Sequence, residues 1–169
     1  KELNKALQLT SANSINFTRL FPQSFYYFHA VAQLGKQHPP VYMSVPSGNF
    51  GNLSAGLMAW KMGLPVARFI AATNSNHIIP DYLASGLLQT RPVCYTISNA
   101  MDVAVPSNLP RMQAIFDQDL QAMRQQIAAY WCTDETTRTA IRELWDRFHY
   151  MSDPHGAIGY YGLTHHLPV

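Results

Sequence analysis

Charge is scarce in this sequence. Only 13% of its 169 residues are Asp, Glu, Lys or Arg, and the formal net charge is +2. So weak a field does not hold a nucleic-acid backbone or an anionic membrane surface, and a small neutral or anionic ligand is the expected partner. Cysteine is scarcer still. Cys94 and Cys132 stand far apart, form no Cys-x-x-Cys pair and have no histidine at metal-ligand spacing beside them. That argues against a disulfide framework and a zinc site, and both thiols are expected to be reduced and buried. No run approaches the roughly 18 consecutive apolar residues of a membrane span, and Lys1-Glu2-Leu3-Asn4 opens no signal-peptide-like apolar stretch. The cytoplasm is the expected compartment. Two phosphate signatures are missing as well: neither Gly-x-x-x-x-Gly-Lys-Ser/Thr nor Gly-x-Gly-x-x-Gly occurs, which counts against nucleoside triphosphates and dinucleotides.

What is present is apolar and ordered. At 47% hydrophobic residues, the chain suffices for one globular domain with its own core and is too short for two ordinary ones. There is no repeat and no low-complexity linker. Apolar runs of strand length alternate with stretches of helical period, which reads as α/β. A helix is expected from Ile15 to about Leu34, capped by Asn13 or Ser14 and kinked or delayed by Pro22. Val41–Val45 reads as a strand, Leu53–Met62 as a helix closed by Gly63, and Val66–Ala72 as the next strand. A short helical piece around Ile79–Leu83 ends at Ser85-Gly86, and a third strand is expected at Val93–Ile97, paired in parallel through such crossovers. Beyond Pro110 two helical stripes follow. One comprises Ile115, Phe116, Leu120, Met123 and Ile127; the other comprises Ala140, Leu144, Trp145 and Phe148, started by Thr133, Asp134 and Glu135. Asp153-Pro154 opens a last helix toward Leu163.

The most informative residues are Pro46-Ser47-Gly48-Asn49-Phe50-Gly51-Asn52, between an expected strand and the first turn of an expected helix. The two glycines let backbone approach an anion closely, and the N–H groups and dipole of a helix start favour negative charge. Ser47, Asn49 and Asn52 can add side-chain donors. The loop holds no Lys or Arg, so backbone and amide dipoles have to supply the binding. On the pattern alone, an ordinary tight turn between strand and helix is an equal reading.

Ser47–Asn52, followed by Ala55-Gly56-Leu57 and Gly63-Leu64-Pro65-Val66, resembles the cofactor-phosphate loop and following helix of threonine synthases. Ser11–Asn16, Arg68–Asn74, Ser98–Val103, Pro106–Asn108 and Asp153–His155 resemble that family in the same order, so the likeness spans nearly the whole chain. The resemblance implies a tryptophan-synthase-β-like fold, a parallel sheet flanked by helices in three αβα layers. It also implies pyridoxal 5'-phosphate as cofactor and conversion of O-phospho-L-homoserine and water into L-threonine and phosphate. By position, Ser47, Gly48, Asn49, Phe50, Gly51 and Asn52 would hold the cofactor phosphate. The family's Schiff-base lysine lies upstream in a Phe-Lys-Asp context, and none of Lys1, Lys5, Lys36 and Lys61 has that context. No catalytic residue is therefore assigned. The chain is expected to be one incomplete cofactor-phosphate-binding domain, residues 1–169, of a longer protein. It is expected to be inactive alone and to expose apolar surface that the rest of the parent would cover.

Other candidates are less specific. Asn13, Ser14 and Asn16 open the first helix, where they either face cofactor or substrate or, for the first two, serve as caps. Asp102, Ser107, Asn108 and Arg111 follow the expected third strand, at the edge where α/β sheets bind ligands. Arg111 either pairs with a phosphate or is a solvated surface arginine. His165-His166 point to different helix faces and read as surface residues, and His155 reads as an aid to helix initiation. The aromatic run Phe25–Phe28 reads as core, with a subunit interface as the alternative.

Overall fold

The computed structural model describes residues 16–35 and 37–166. Asn13 and Ser14 lie outside the described residues. The first helical segment is broken into α1 (Phe17–Leu20), a 3-10 turn (Phe21–Gln23) and α2 (Ser24–Ala32). Pro22 sits at the start of the 3-10 turn, a position that tolerates the loss of a backbone N–H. The cap of α1 is Asn16, whose side chain accepts from the Thr18 N–H. Then come β1 (Val41–Pro46), α3 (Gly51–Lys61), β2 (Val66–Thr73) and α4 (Ile78–Ser85), the last closed by Gly86 at φ 80°. That left-handed conformation is one glycine adopts without a Cβ penalty.

The expected third strand is where sequence and structure part. Residues 93–97 form no strand. Their backbone groups are satisfied by side chains instead of a ladder: the Asn76 amide accepts from Cys94 N–H and donates to Cys94 C=O, both at 2.8 Å, and Asp102 accepts from Thr96 N–H at 3.0 Å. A segment of strand-forming residues is thereby laid across the surface, with Tyr95 91% exposed and Cys94 exposed, contrary to the expected burial of that thiol. Cys132 is buried.

The true third strand begins at Ile127, the last residue of the stripe read as one helix, and runs beyond it. The structure divides that stretch into α5 (Leu109–Ile115), α6 (Leu120–Gln126) and β3 (Ile127–Trp131). β3 pairs in parallel with β2, from Phe69 opposite Ile127 to Thr73 opposite Trp131, and β1 pairs in parallel with the other side of β2. The sheet order is β1-β2-β3. The chain closes with α7 (Asp134–Phe148), capped by Thr133, and α8 (Pro154–His166).

Alternation along β2 sorts helices to two faces. Phe69 and Ala71 face a core shared with Phe50, Leu53 and Leu57 of the α3 region, Ile79 and Leu83 of α4, Met112 of α5 and Met123 of α6. Ala72 faces the other way, against Ile158 of α8. Three layers result, as the likeness implied. Each fully buried Leu, Ile or Phe contributes about 1.5–3 kcal/mol, so the larger cluster fixes α3, and with it the loop that precedes α3, to the sheet.

Candidate functional site

The loop Ser47–Asn52 leaves the C-terminal end of β1, where parallel α/β sheets expose backbone to ligands. Its first anchor is the sheet: Ser47 N–H donates to Ala72 C=O on β2 at 2.9 Å. The loop then turns at Phe50, which is left-handed at φ 60°, ψ 20°. A bulky side chain in that region is strained by about 1–3 kcal/mol. The ring is only 2% exposed and belongs to the main core, so burial of comparable size holds the turn. Phe50 C=O accepts from Ser54 N–H at 3.0 Å and from Ser54 Oγ at 2.7 Å.

The side chains expected as extra donors are spent largely on the loop itself. Ser47 Oγ donates to Asn52 Oδ1 at 2.7 Å, the Asn52 amide donates to Pro46 C=O at 2.8 Å, and Leu53 N–H donates to Asn52 Oδ1 at 2.9 Å. Asn49 Oδ1 accepts from the Ser107 N–H and hydroxyl at 2.6 and 2.9 Å. The first N–H groups of a helix have no intrahelical acceptor, and those of Gly51 and Asn52 donate to no acceptor among the described residues. These are the groups an anion would meet.

Three braces set the loop from outside. Behind it, Tyr27 of α2 donates its hydroxyl to Asn52 C=O at 2.7 Å, and burial pushes the Tyr27 phenol well above its ordinary value, so it stays a donor. Beside it, buried Asn108 donates its amide to Asn49 C=O at 2.9 Å and accepts from Arg111. Beneath it, Gly48 rides so close to Met101 that a Cβ there would lie 2.5 Å from Met101 Cα. Met101 closes a second 3-10 turn, Asn99–Met101. Asp102, the next residue, collects Asn74, Asn76 and Thr96 on its Oδ1 at 2.8, 3.0 and 2.8 Å. The structure thus places Asp102, Ser107, Asn108 and Arg111 around the loop's support, where they hydrogen-bond to other protein groups.

The loop opens on a cleft of about 550 Å³, lined by Ser47–Asn52, Pro46, Ala100, Met101, Arg19, Gln23 and His155. Asn16 caps the helix that carries Arg19. The sequence reading did not single out Arg19 and Gln23. The available signal was their polar spacing of i and i+4 on an otherwise aromatic and aliphatic helical stretch; in the structure the Gln23 amide donates to Arg19 C=O at 2.8 Å. His155 does help start α8, as its N–H donates to Asp153 Oδ1. It also forms part of the cleft wall. His165 is exposed.

Chemically, the cleft offers backbone N–H donors at a helix start and has Arg19 in its lining, residue types suited to phosphate oxygens. Among the described residues there is no His/Cys/Asp/Glu group able to hold a metal ion. The chain is 48% identical to threonine synthase from Serratia marcescens over 168 residues and 46% identical to that from Escherichia coli. Each alignment takes in 99% of this chain and 39% of the relative. The crystal structure of the Escherichia coli enzyme superposes with a TM-score of 0.92 over 99% of this chain and 39% of that one. The chain is homologous to part of threonine synthase. A pyridoxal-phosphate-bound threonine synthase from Brucella melitensis matches at 34% identity and a TM-score of 0.90, over 99% of this chain and 41% of that one. Serine racemase from Dictyostelium discoideum, at 17% identity and a TM-score of 0.58 over 83% of this chain and 41% of that one, shares the fold, that of the fold type II pyridoxal-phosphate enzymes. No family model matches the chain. The chain spans about 39% of the length of the curated threonine synthases it matches.

Proposed function

We propose that this chain is the cofactor-phosphate-binding domain of a threonine synthase that converts O-phospho-L-homoserine and water into L-threonine and phosphate. The observation that carries the reading is the loop Ser47–Asn52. It is braced from three sides so that the Gly51 and Asn52 N–H groups at the start of α3 stay available beside a cleft of about 550 Å³. Ser47, Gly48, Asn49, Phe50, Gly51 and Asn52 would hold the phosphate of pyridoxal 5'-phosphate, chiefly through backbone. Bound there, the cofactor would supply the electron sink that lets a γ-phosphate leave. The chain's own residues orient it, and buried Phe50 and Met101 close the loop's floor to water.

Arg19 would take the second anion, the substrate phosphate, from across the cleft, with Asn16 fixing the start of its helix. Asn13 and Ser14 stay proposed as substrate contacts. Asp102, Asn108 and Arg111 would act by keeping the loop in place. The lysine that bonds the cofactor would come from a part of the parent protein that this chain does not span, as would other cover for the sheet, so the isolated 169 residues would make no threonine. The parent would work in the cytoplasm on small molecules, without nucleic acid or membrane partners; no helix among the described residues is long and apolar enough to cross a membrane.

The test is phosphate release from O-phospho-L-homoserine by the full-length protein loaded with pyridoxal phosphate, with threonine quantified in the same tube. Equal amounts support the proposal. The chain is also 34% identical to mouse threonine synthase-like 1 over 181 residues, 24% of that protein, so a protein like threonine synthase shares this region, and the second reading is a threonine-synthase-like phospho-lyase on a related phosphorylated amino acid. Phosphate without threonine would select it.

A further inference from the structure

His155 presents an unpaired nitrogen in a place where chemistry is proposed to occur. Its ring is held by a hydrogen bond of 2.8 Å between Nδ1 and Asp153 Oδ1. An ionised carboxylate only accepts, so Nδ1 carries the proton and Nε2 is left as the second functional atom. Asp153 is fit for that part. Partial burial opposes its charge, but hydrogen bonds from the His155 ring, the His155 N–H and the Gly156 N–H outweigh it and hold the carboxyl below its ordinary value. The orienting group is therefore charged at neutral pH.

Nε2 is buried and has no hydrogen-bond partner among the described residues. Such an atom is costly to bury, and native proteins retain few without a ligand, an ion or a water to explain them. The other two buried side-chain atoms in that condition, Ser44 Oγ and Arg68 Nε, belong to residues that do not line the cleft. His155 lines it, together with the whole of Ser47–Asn52 and Arg19. Its side chain keeps 31% of its surface exposed, which leaves the ring room to pivot about the Asp153 bond and turn Nε2 to an incoming group. We propose that His155 is a ligand-contact residue of the phosphate cleft, with Nε2 paired to a phosphomonoester oxygen and Asp153 as the residue that positions the ring. Nε2 accepts from a phosphate O–H or, with a second proton on the ring, donates to a phosphate oxygen; either removes the unpaired nitrogen.

The assignment rests on the reading of the cleft as a phosphate site, and the two can fail separately. The oxygen belongs either to the cofactor or to the substrate, so two probes are used on the full-length protein. One is pyridoxal phosphate, followed by its visible absorbance and 31P resonance; the other is inorganic phosphate, titrated into the cofactor-loaded protein. His155→Ala should weaken one of them roughly tenfold or more, the scale of one hydrogen bond to a charged group. His155→Gln, whose amide nitrogen reaches the place of Nε2, should restore part of that loss. Weakened pyridoxal phosphate alone assigns the contact to the cofactor, and weakened inorganic phosphate alone assigns it to the substrate. Unchanged affinity for both, in protein that binds both, overturns the role of His155 and leaves the cleft reading standing. Wild-type protein that binds neither probe overturns both. If His155→Ala does not fold, 15N-histidine spectra of the wild type decide: Nε2 must shift when a probe is added, and an unmoved resonance refutes the contact.

Discussion

Replacing Gly48 by alanine isolates the loop's floor from every other feature of the site. Gly48 does not have a positive φ, so alanine meets no backbone strain there and the effect is purely steric. The new Cβ would lie 2.5 Å from Met101 Cα and 2.9 Å from both its carbonyl carbon and oxygen, against an optimum near 3.5–4.0 Å for carbon pairs. Roughly 1 Å must be found, and all three atoms are backbone, so no side chain can swing away. Met101 will not yield first: it is buried, its N–H is bonded to Ser98 C=O at 2.9 Å, and Asp102 ties the next residue to Asn74, Asn76 and Thr96. The loop has to move, at an overpacking cost of about 1–3 kcal/mol. A displacement of about 1 Å also stretches a 2.9 Å hydrogen bond past its useful range. Losing one N–H contact to a charged phosphate then lowers affinity roughly 10- to 100-fold. The assay is pyridoxal phosphate titration of full-length Gly48→Ala beside a thermal melt. A variant that melts and binds like the wild type would show that the loop's closeness to Met101 has no bearing on phosphate binding.

Tyr27→Phe should remove the brace behind the loop, leaving Asn52 C=O without its partner; a loss of about 1–2 kcal/mol is expected in denaturant unfolding, together with weaker cofactor binding. The two thiols should separate cleanly: exposed Cys94 reacts with a maleimide in native protein, whereas Cys132, whose thiol burial pushes upward, reacts only on unfolding. Equal rates would contradict the burial of the residue that follows β3. Because the folded state holds the Asp153 carboxyl low, its contribution is present above the unfolded value of about 3.9 and is lost as pH falls through the depressed one. Melts of Asp153→Asn below about pH 4 should therefore fall less steeply with acid than those of the wild type.

The elements read correctly from sequence are those whose signals are local. β1 and β2 are β-branched runs bounded by Pro or Gly, α3 starts within the loop at Gly51, two residues before the expected Leu53, and α7 is capped by Thr133. β3 was not legible because Ala128 and Ala129 suit a helix, and Ile127 falls four residues after Met123, on the same apparent stripe. Only the open edge of β2, whose two faces are already covered by helices, draws that segment into the sheet. Conversely, Val93–Ile97 has the β-branched and aromatic residues of a strand, but Asn76 and Asp102 take its backbone groups first. In both cases tertiary partners outvoted a correct local reading.

The site divides the same way. The position of Ser47–Asn52 between strand and helix was legible, since strand-loop-helix order needs no knowledge of distant residues. Its working parts were not, because nearly every group that shapes it arrives from elsewhere: Tyr27 and Arg19 from the helices before β1, Met101 and Asn108 from the long crossover, His155 from the start of α8. This also explains how a loop without Lys or Arg can serve a phosphate. A cation would tolerate a loosely placed anion, whereas backbone N–H donors act only at hydrogen-bond range and in the right direction, so the sequence invests in bracing rather than charge. The loop's own Ser and Asn side chains are then consumed as struts, and substitutions at the distant braces should reach the ligand as directly as substitutions in the loop.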